Sequence, residues 1–147
     1  DYYCFFDNGR NFSNIKVIDW IKKINLIGAG EISITFVDND GTGKGFDLLF
    51  IKKIESITNI PIVVHGGAGN INQILNLFKE TQCDGVSISS LFHYYYIFKF
   101  NNESSNKYLD EGNIDFLMSK SSSKKIESTK INKLKKFLLK KRINCRI

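Results

Sequence analysis

The 147-residue sequence has one proline, Pro61, one tryptophan, Trp20, and three cysteines. No run of eighteen apolar residues occurs, so no membrane span is expected, and no charged-then-apolar leader of the signal-peptide kind is present. Cys4, Cys83 and Cys145 are odd in number, far apart and form no CxxC pair. Neither a zinc site nor a disulfide framework is supported, and reduced thiols of a cytoplasmic protein are the expectation. Acidic residues are scarce at one end. The net charge is +6, but eleven of the 21 Lys and Arg lie from Lys120 onward, where Glu127 is the only acid. Residues 1–119 carry ten basic and fourteen acidic side chains. That asymmetry argues against a nucleic-acid partner and for a basic terminal helix that is merely solvated. The chain begins at Asp1, which suggests a fragment or processed product.

What is present is alternation. Residues 15–26 place Val17, Trp20, Ile21 and Ile24 at helical spacing and run into Gly28-Ala29-Gly30, a helix-stop signal. ISITFV (32–37) reads as a strand, followed by the turn-rich run Asp38 to Gly43 and a helical pattern with Leu48, Leu49, Ile51 and Ile54. Pro61 opens the strand IPIVV, where a missing N–H is tolerated. Gly66-Gly67-Ala68-Gly69 precedes a helix with Ile71, Ile74, Leu75 and Phe78 on its apolar face, and GVSIS (85–89) is the last strand expected. Three such βα units with short, β-branched strands predict an α/β fold with a parallel sheet buried on both faces. Pattern alone does not separate an open sheet from a closed barrel. From about Phe100 to Glu127, Ser, Asn and Lys dominate, as in a flexible surface insertion. The expected organisation is 1–99 as βα units, 100–127 as insertion, and 128–147 as a C-terminal helix and tail. That helix, from Ser128 to Arg142, would bury Ile131, Leu134 and Leu138, and INCRI would close as a short docked strand.

Ligands of α/β proteins sit beyond the carboxyl ends of the strands. Those ends offer Thr35, Asp38, Asp40 and Gly41; His65, Gly66 and Gly67; and Ser87, Ser89 and Ser90. Glycines between a strand and a helix let backbone N–H groups approach an oxyanion, and the helix N-terminus adds partial positive charge. A side chain at Gly67 would then block the anion while sparing the strand. As bare motifs, GGAG and SISS serve equally well as tight turns.

The order and wording of three segments narrow the reading. GAGEISITFVDNDGTGKGFD (28–47), IPIVVHGGAG (60–69) and CDGVSISSLFH (83–93) resemble the second half of the cyclase subunit of imidazole glycerol phosphate synthase. The resemblance runs from about residue 9 to 97, and the DGT block is its most specific part. It implies the C-terminal half of a (β/α)8 TIM-type, ribulose-phosphate-binding barrel with a flexible insertion before the last helix. It also implies histidine biosynthesis, a phosphorylated ribonucleotide substrate, and ammonia from a glutaminase subunit. The N-terminal half-barrel of the same protein would be a further partner, and no cofactor or metal is implied. One substrate phosphate maps to Asp40, Gly41, Gly67, Ser89 and Ser90, and Thr35 matches a substrate-facing position. His65, Gly66 and Asp38 are further candidates. The family's two catalytic aspartates fall upstream of Asp1, so no catalytic residue is assigned here and the chain alone should be inactive. His65 stands where the family has a small residue, usually serine. That difference resembles paralogues acting in surface-polysaccharide sugar amidation. A non-catalytic half-barrel that binds phosphate or a partner is the third reading.

Plainer roles stand beside these. His65 can fill space at a strand end, and His93 reads as structural. Asp38 and Asp40 suit local hydrogen bonds of an Asp-Gly turn. Tyr94, Tyr95 and Tyr96 could stack nucleic-acid bases but more often pack, and Trp20 is most simply core.

Overall fold

The computed structural model describes residues 1–103 and 126–146. Most of the segment expected to be an insertion, 104–125, lies outside the described residues. The chain opens with an antiparallel hairpin, β1 (Tyr3–Phe6) and β2 (Asn11–Lys16), which the residue pattern had not predicted. Its signal is legible in hindsight: Asp7, Asn8 and Gly9 all take positive φ, which Asn, Asp and Gly tolerate in hairpin turns. Helix α1 (Val17–Leu26) follows, then β3 (Ile32–Thr35), a 3-10 turn (Val37–Asn39) and α2 (Leu48–Glu55). The remaining elements are β4 (Ile62–His65), α3 (Ile71–Glu80), β5 (Gly85–Ser87), α4 (Ser90–Glu103) and α5 (Ile131–Lys140).

Strands β3, β4 and β5 form a parallel sheet in that order, so the α/β expectation holds. The register sorts the side chains by face, because alternate residues of a strand point to opposite sides. Ile32 and Ile34 align with Ile62 and Val64, and Val64 with Val86. This apolar face packs with Ile21 of α1, Ile51 and Ile54 of α2 and Leu77 of α3. Ile51, Ile54, Val64 and Leu77 have no exposed surface. Each such burial contributes about 1.5–3 kcal/mol relative to exposure. The other face carries Ser33, Thr35, Val63, His65, Gly85 and Ser87, none of them buried. Only one face is covered among the described residues, so the expectation of burial on both faces needs correction.

A second cluster joins Ile74 and Leu75 of α3, Leu91 and Tyr94 of α4, Ile126, and Leu134 and Leu138 of α5. Ile131 does not join it: the side chain is 41% exposed. The approach to α5 is a strap across the upper loops. Glu127 N–H donates to the Gly69 carbonyl (2.7 Å), and Thr129 N–H donates to the Leu91 carbonyl (3.1 Å). Other expectations also fail locally. Leu49 points to solvent because Asp47 caps α2 and sets its phase so that Phe50, Ile51 and Ile54 face inward. Trp20 is half exposed beneath Lys23, whose Nζ lies 5.4 Å from the ring centroid. Ile143 to Arg146 form no strand; Cys145 Sγ instead lies against the Lys135 carbonyl.

Candidate anion-binding site

At the carboxyl end of the sheet, three loops converge on a shallow cleft lined by Asp40, Gly41, His65, Gly66, Gly67, Ser87, Ser89 and Ser90, together with Ala68 and Ile88. The cleft unites almost all the residues that the sequence singled out, from segments fifty positions apart. It encloses about 10 Å3, a single water-sized space, so an anion would rest at its mouth against the rim.

Two of the loops are tied together by their own polar groups. Gly45 N–H donates to the Gly67 carbonyl (2.7 Å), Asn39 Nδ2 to the Gly45 carbonyl (3.1 Å), and Gln73 Nε2 to the Gly43 carbonyl (3.2 Å). Gly67 is buried with φ +110°, and a Cβ there would collide with the Gly45 carbonyl oxygen. The glycine is thus required by loop packing before any ligand is considered. A side chain at Gly67 would break the loop, so it would not cleanly block an anion as the sequence reading expected.

The helix ends differ from expectation too. The N-terminus of α3 is closed by a reciprocal capping box: Asn70 Oδ1 accepts from Asn72 and Gln73 N–H, while Gln73 Oε1 accepts from Gly69 and Asn70 N–H. The donors after GGAG are therefore largely consumed. By contrast, no described residue accepts a hydrogen bond from the backbone N–H of Gly41, Gly67, Ser89 or Ser90. Among the described residues no side chain accepts from the first turn of α4, where the Ser89 carbonyl accepts from Phe92 and His93 N–H. The positive end that faces the cleft belongs to α4.

Thr35, His65 and Ser87 occupy one row across the three strands on the uncovered face. Thr35 Oγ1 lies 3.3 Å from His65 Nδ1, and His65 Nε2 lies 3.8 Å from Asp40 Oδ1. Thr35 does not line the cleft itself and reaches it through His65. Asp38 points elsewhere, into a hollow it shares with Tyr2, Tyr3, Phe12 and Phe36. His93 sits edge-on against Tyr94, whose ring is buried.

The cysteines are free and apart, and burial pushes the Cys83 thiol upward, away from reactivity. No group of three His, Cys, Asp or Glu among the described residues could hold a metal. No described helix is long and apolar enough to cross a membrane.

The sequence matches the family described as "Histidine biosynthesis protein" over residues 2–97. The chain belongs to that family. Among its curated relatives is the "Imidazole glycerol phosphate synthase subunit HisF" of Lactococcus lactis subsp. cremoris, 41% identical over 90 residues, covering 61% of this chain and 35% of the relative. The subunit of the same name from Staphylococcus epidermidis is 37% identical over 93 residues, covering 63% and 37%. That from Staphylococcus aureus strain JH9 is 38% identical over 92 residues, covering 63% and 36%. The chain thus spans about a third of the length of these relatives. The cyclase resemblance seen in the DGT, GGAG and SISS segments is the one they show.

Proposed function

We propose that this chain forms the C-terminal half of a (β/α)8 cyclase barrel and holds one phosphate of a phosphorylated ribonucleotide at Gly41, Gly67, Ser89 and Ser90. Asp40 orders the first of these loops, and Thr35 faces the substrate from the uncovered side of the sheet. The whole protein would use ammonia from a glutaminase subunit in histidine biosynthesis. In this reading the described residues grip and orient, and the family's two catalytic aspartates lie upstream of Asp1.

The observation that carries the reading is that residues of three loops whose backbone N–H groups have no acceptor among the described residues line one cleft beside the start of α4. Among the described residues β3 pairs along one edge only, which adds support for the half-barrel. A hollow of about 710 Å3 runs along it between the hairpin and α1, lined by Tyr3, Ile21, Ile24, Ile32 and Ile34. A further strand paired with β3 would fill that hollow and satisfy its free edge.

The test is an NMR titration of the chain with inorganic phosphate and with a sugar phosphate. Shifts should centre on Gly41, Gly67 and Ser90. Ser90→Ala should weaken binding by about 1–2 kcal/mol, the scale of one hydrogen bond to a charged group. Shifts confined to the lysines of α5 would refute the site.

A further inference from the structure

Among the described residues, only Asp40 and His65 of the cleft lining can ionise, and neither Lys nor Arg lines it. Within that described lining, an oxyanion at the rim meets a carboxylate with no fixed positive charge beside it. His65 is placed to supply that charge. Its Nδ1 is held by Thr35 Oγ1 at 3.3 Å, and its Nε2 faces Asp40 Oδ1 at 3.8 Å. Both ring nitrogens would be donors in the imidazolium form, one toward the threonine hydroxyl and one toward the carboxylate.

We propose that His65 sets the charge of the cleft and is the residue that lets it accept a doubly charged oxyanion. Protonated, His65 neutralises Asp40 and leaves the rim donors of Gly41, Gly67, Ser89 and Ser90 to the ligand. Deprotonated, it leaves Asp40 uncompensated, and the anion is repelled. The inference rests on the phosphate reading above and adds the residue that selects for ligand charge. The groups that face His65 are few. The loop after β3 presents Asp40, β3 presents the Thr35 hydroxyl, and β5 presents Ser87 in the same row. Tyr3, Cys4 and Glu31 line the adjoining hollow, and the Cys4 thiol is pushed upward by burial. Only Asp40 forms an ion pair with His65 among the described residues.

Sulfate is the probe of choice, because it keeps its double charge where imidazole titrates. The full chain is titrated by NMR at about pH 5.5 and about pH 8, which bracket the usual range of histidine. The wild type should bind sulfate at least about tenfold more tightly at the lower pH, somewhat more than unit charges about 4 Å apart give in bulk water and less than they give near a protein surface. His65→Gln should bind weakly and equally at both. Asp40→Asn should bind at the higher pH nearly as well as the wild type does at the lower. If wild type and His65→Gln bind sulfate alike at both pH values, the role of His65 is refuted and the phosphate cleft stands. If Asp40→Asn binds sulfate at the higher pH no better than the wild type does there, the charge-offset argument is likewise refuted. Sulfate that shifts no cleft resonance in any of the three overturns the cleft itself, and this inference with it.

Discussion

The two glycine- and serine-rich loops that follow β4 and β5 look alike in sequence and behave differently in the fold. After β4, the chain spends most of its donors on itself: Asn70 and Gln73 close the end of α3, and Gly67 is wedged against the Gly45 carbonyl, its N–H left without an acceptor among the described residues. After β5, no described side chain accepts from the first turn of α4, and no described residue accepts from the N–H groups of Ser89 and Ser90, both of which line the cleft. A loop is built for structure when its polar groups are satisfied internally. One that leaves donors unpaired at a concave surface is available to a ligand.

The comparison can be broken most severely at Gly67. Gly67→Val brings a β-branched side chain to a φ of +110° and into backbone. Strain in such a region costs about 1–3 kcal/mol before the collision is counted. We expect a loss of stability of at least about 3 kcal/mol, read by thermal or urea unfolding. A variant that unfolds like the parent would show that the loop is free to move and was not built by packing.

A finer test sets one helix end against the other. Asn70→Ala removes the cap of α3 and should cost about 0.5–2 kcal/mol. Ser89→Ala breaks no side-chain bond among the described residues; it keeps the backbone N–H, removes only the hydroxyl, and should leave stability nearly unchanged while weakening anion binding modestly. Equal losses of stability from the two would erase the distinction drawn here.

The smallest effect is a pH dependence at a third helix end. Asp47 caps α2 through the Phe50 N–H (2.9 Å) and accepts from the Tyr2 hydroxyl at 2.6 Å, joining the hairpin to the helix. The Tyr2 hydrogen bond and the Phe50 N–H hold the Asp47 carboxyl below its ordinary value. The bond to Asp47, followed by burial, pushes Tyr2 up to about 12. The depressed carboxylate favours the fold above its unfolded pKa, and that contribution fades as pH falls through the folded value. The raised phenol favours the fold below its unfolded value near 10 and fades as pH rises through about 12. Both groups are partly exposed, so screening keeps the effect small. Tyr2→Phe should flatten the alkaline limb of a stability-versus-pH curve and blunt the acid one. An unchanged curve would mean that the hairpin is not anchored through this bond.

Much of the fold was legible because its elements are local. Strand periodicity in ISIT and IVVH, the stop at Gly28 and the apolar stripe of α3 each arise from residues within one turn or one strand. The strand-end residues were legible for the same reason, since glycine and serine mark positions where the backbone turns. The hairpin escaped a helix-centred reading of residues 15–26, although Asp7-Asn8-Gly9 signals its turn. Leu49 and Ile131 were misjudged because their burial depends on the phase at which capping starts a helix and on what the neighbouring element covers.

By itself, the sequence determined the α/β order of elements, the basic character of the tail and the positions at which loops must turn, all properties of neighbouring residues. Only the tertiary structure decided which loops are tied together. The bonds that join the β3 loop to the β4 loop and α3, Gln73 Nε2 to the Gly43 carbonyl and Gly45 N–H to the Gly67 carbonyl, span up to thirty positions. It also decided that Thr35, His65 and Asp40 meet, because parallel register aligns residues thirty apart in the chain. Long-range pairing of this kind is set by packing the sheet against its helices, and no local pattern encodes it.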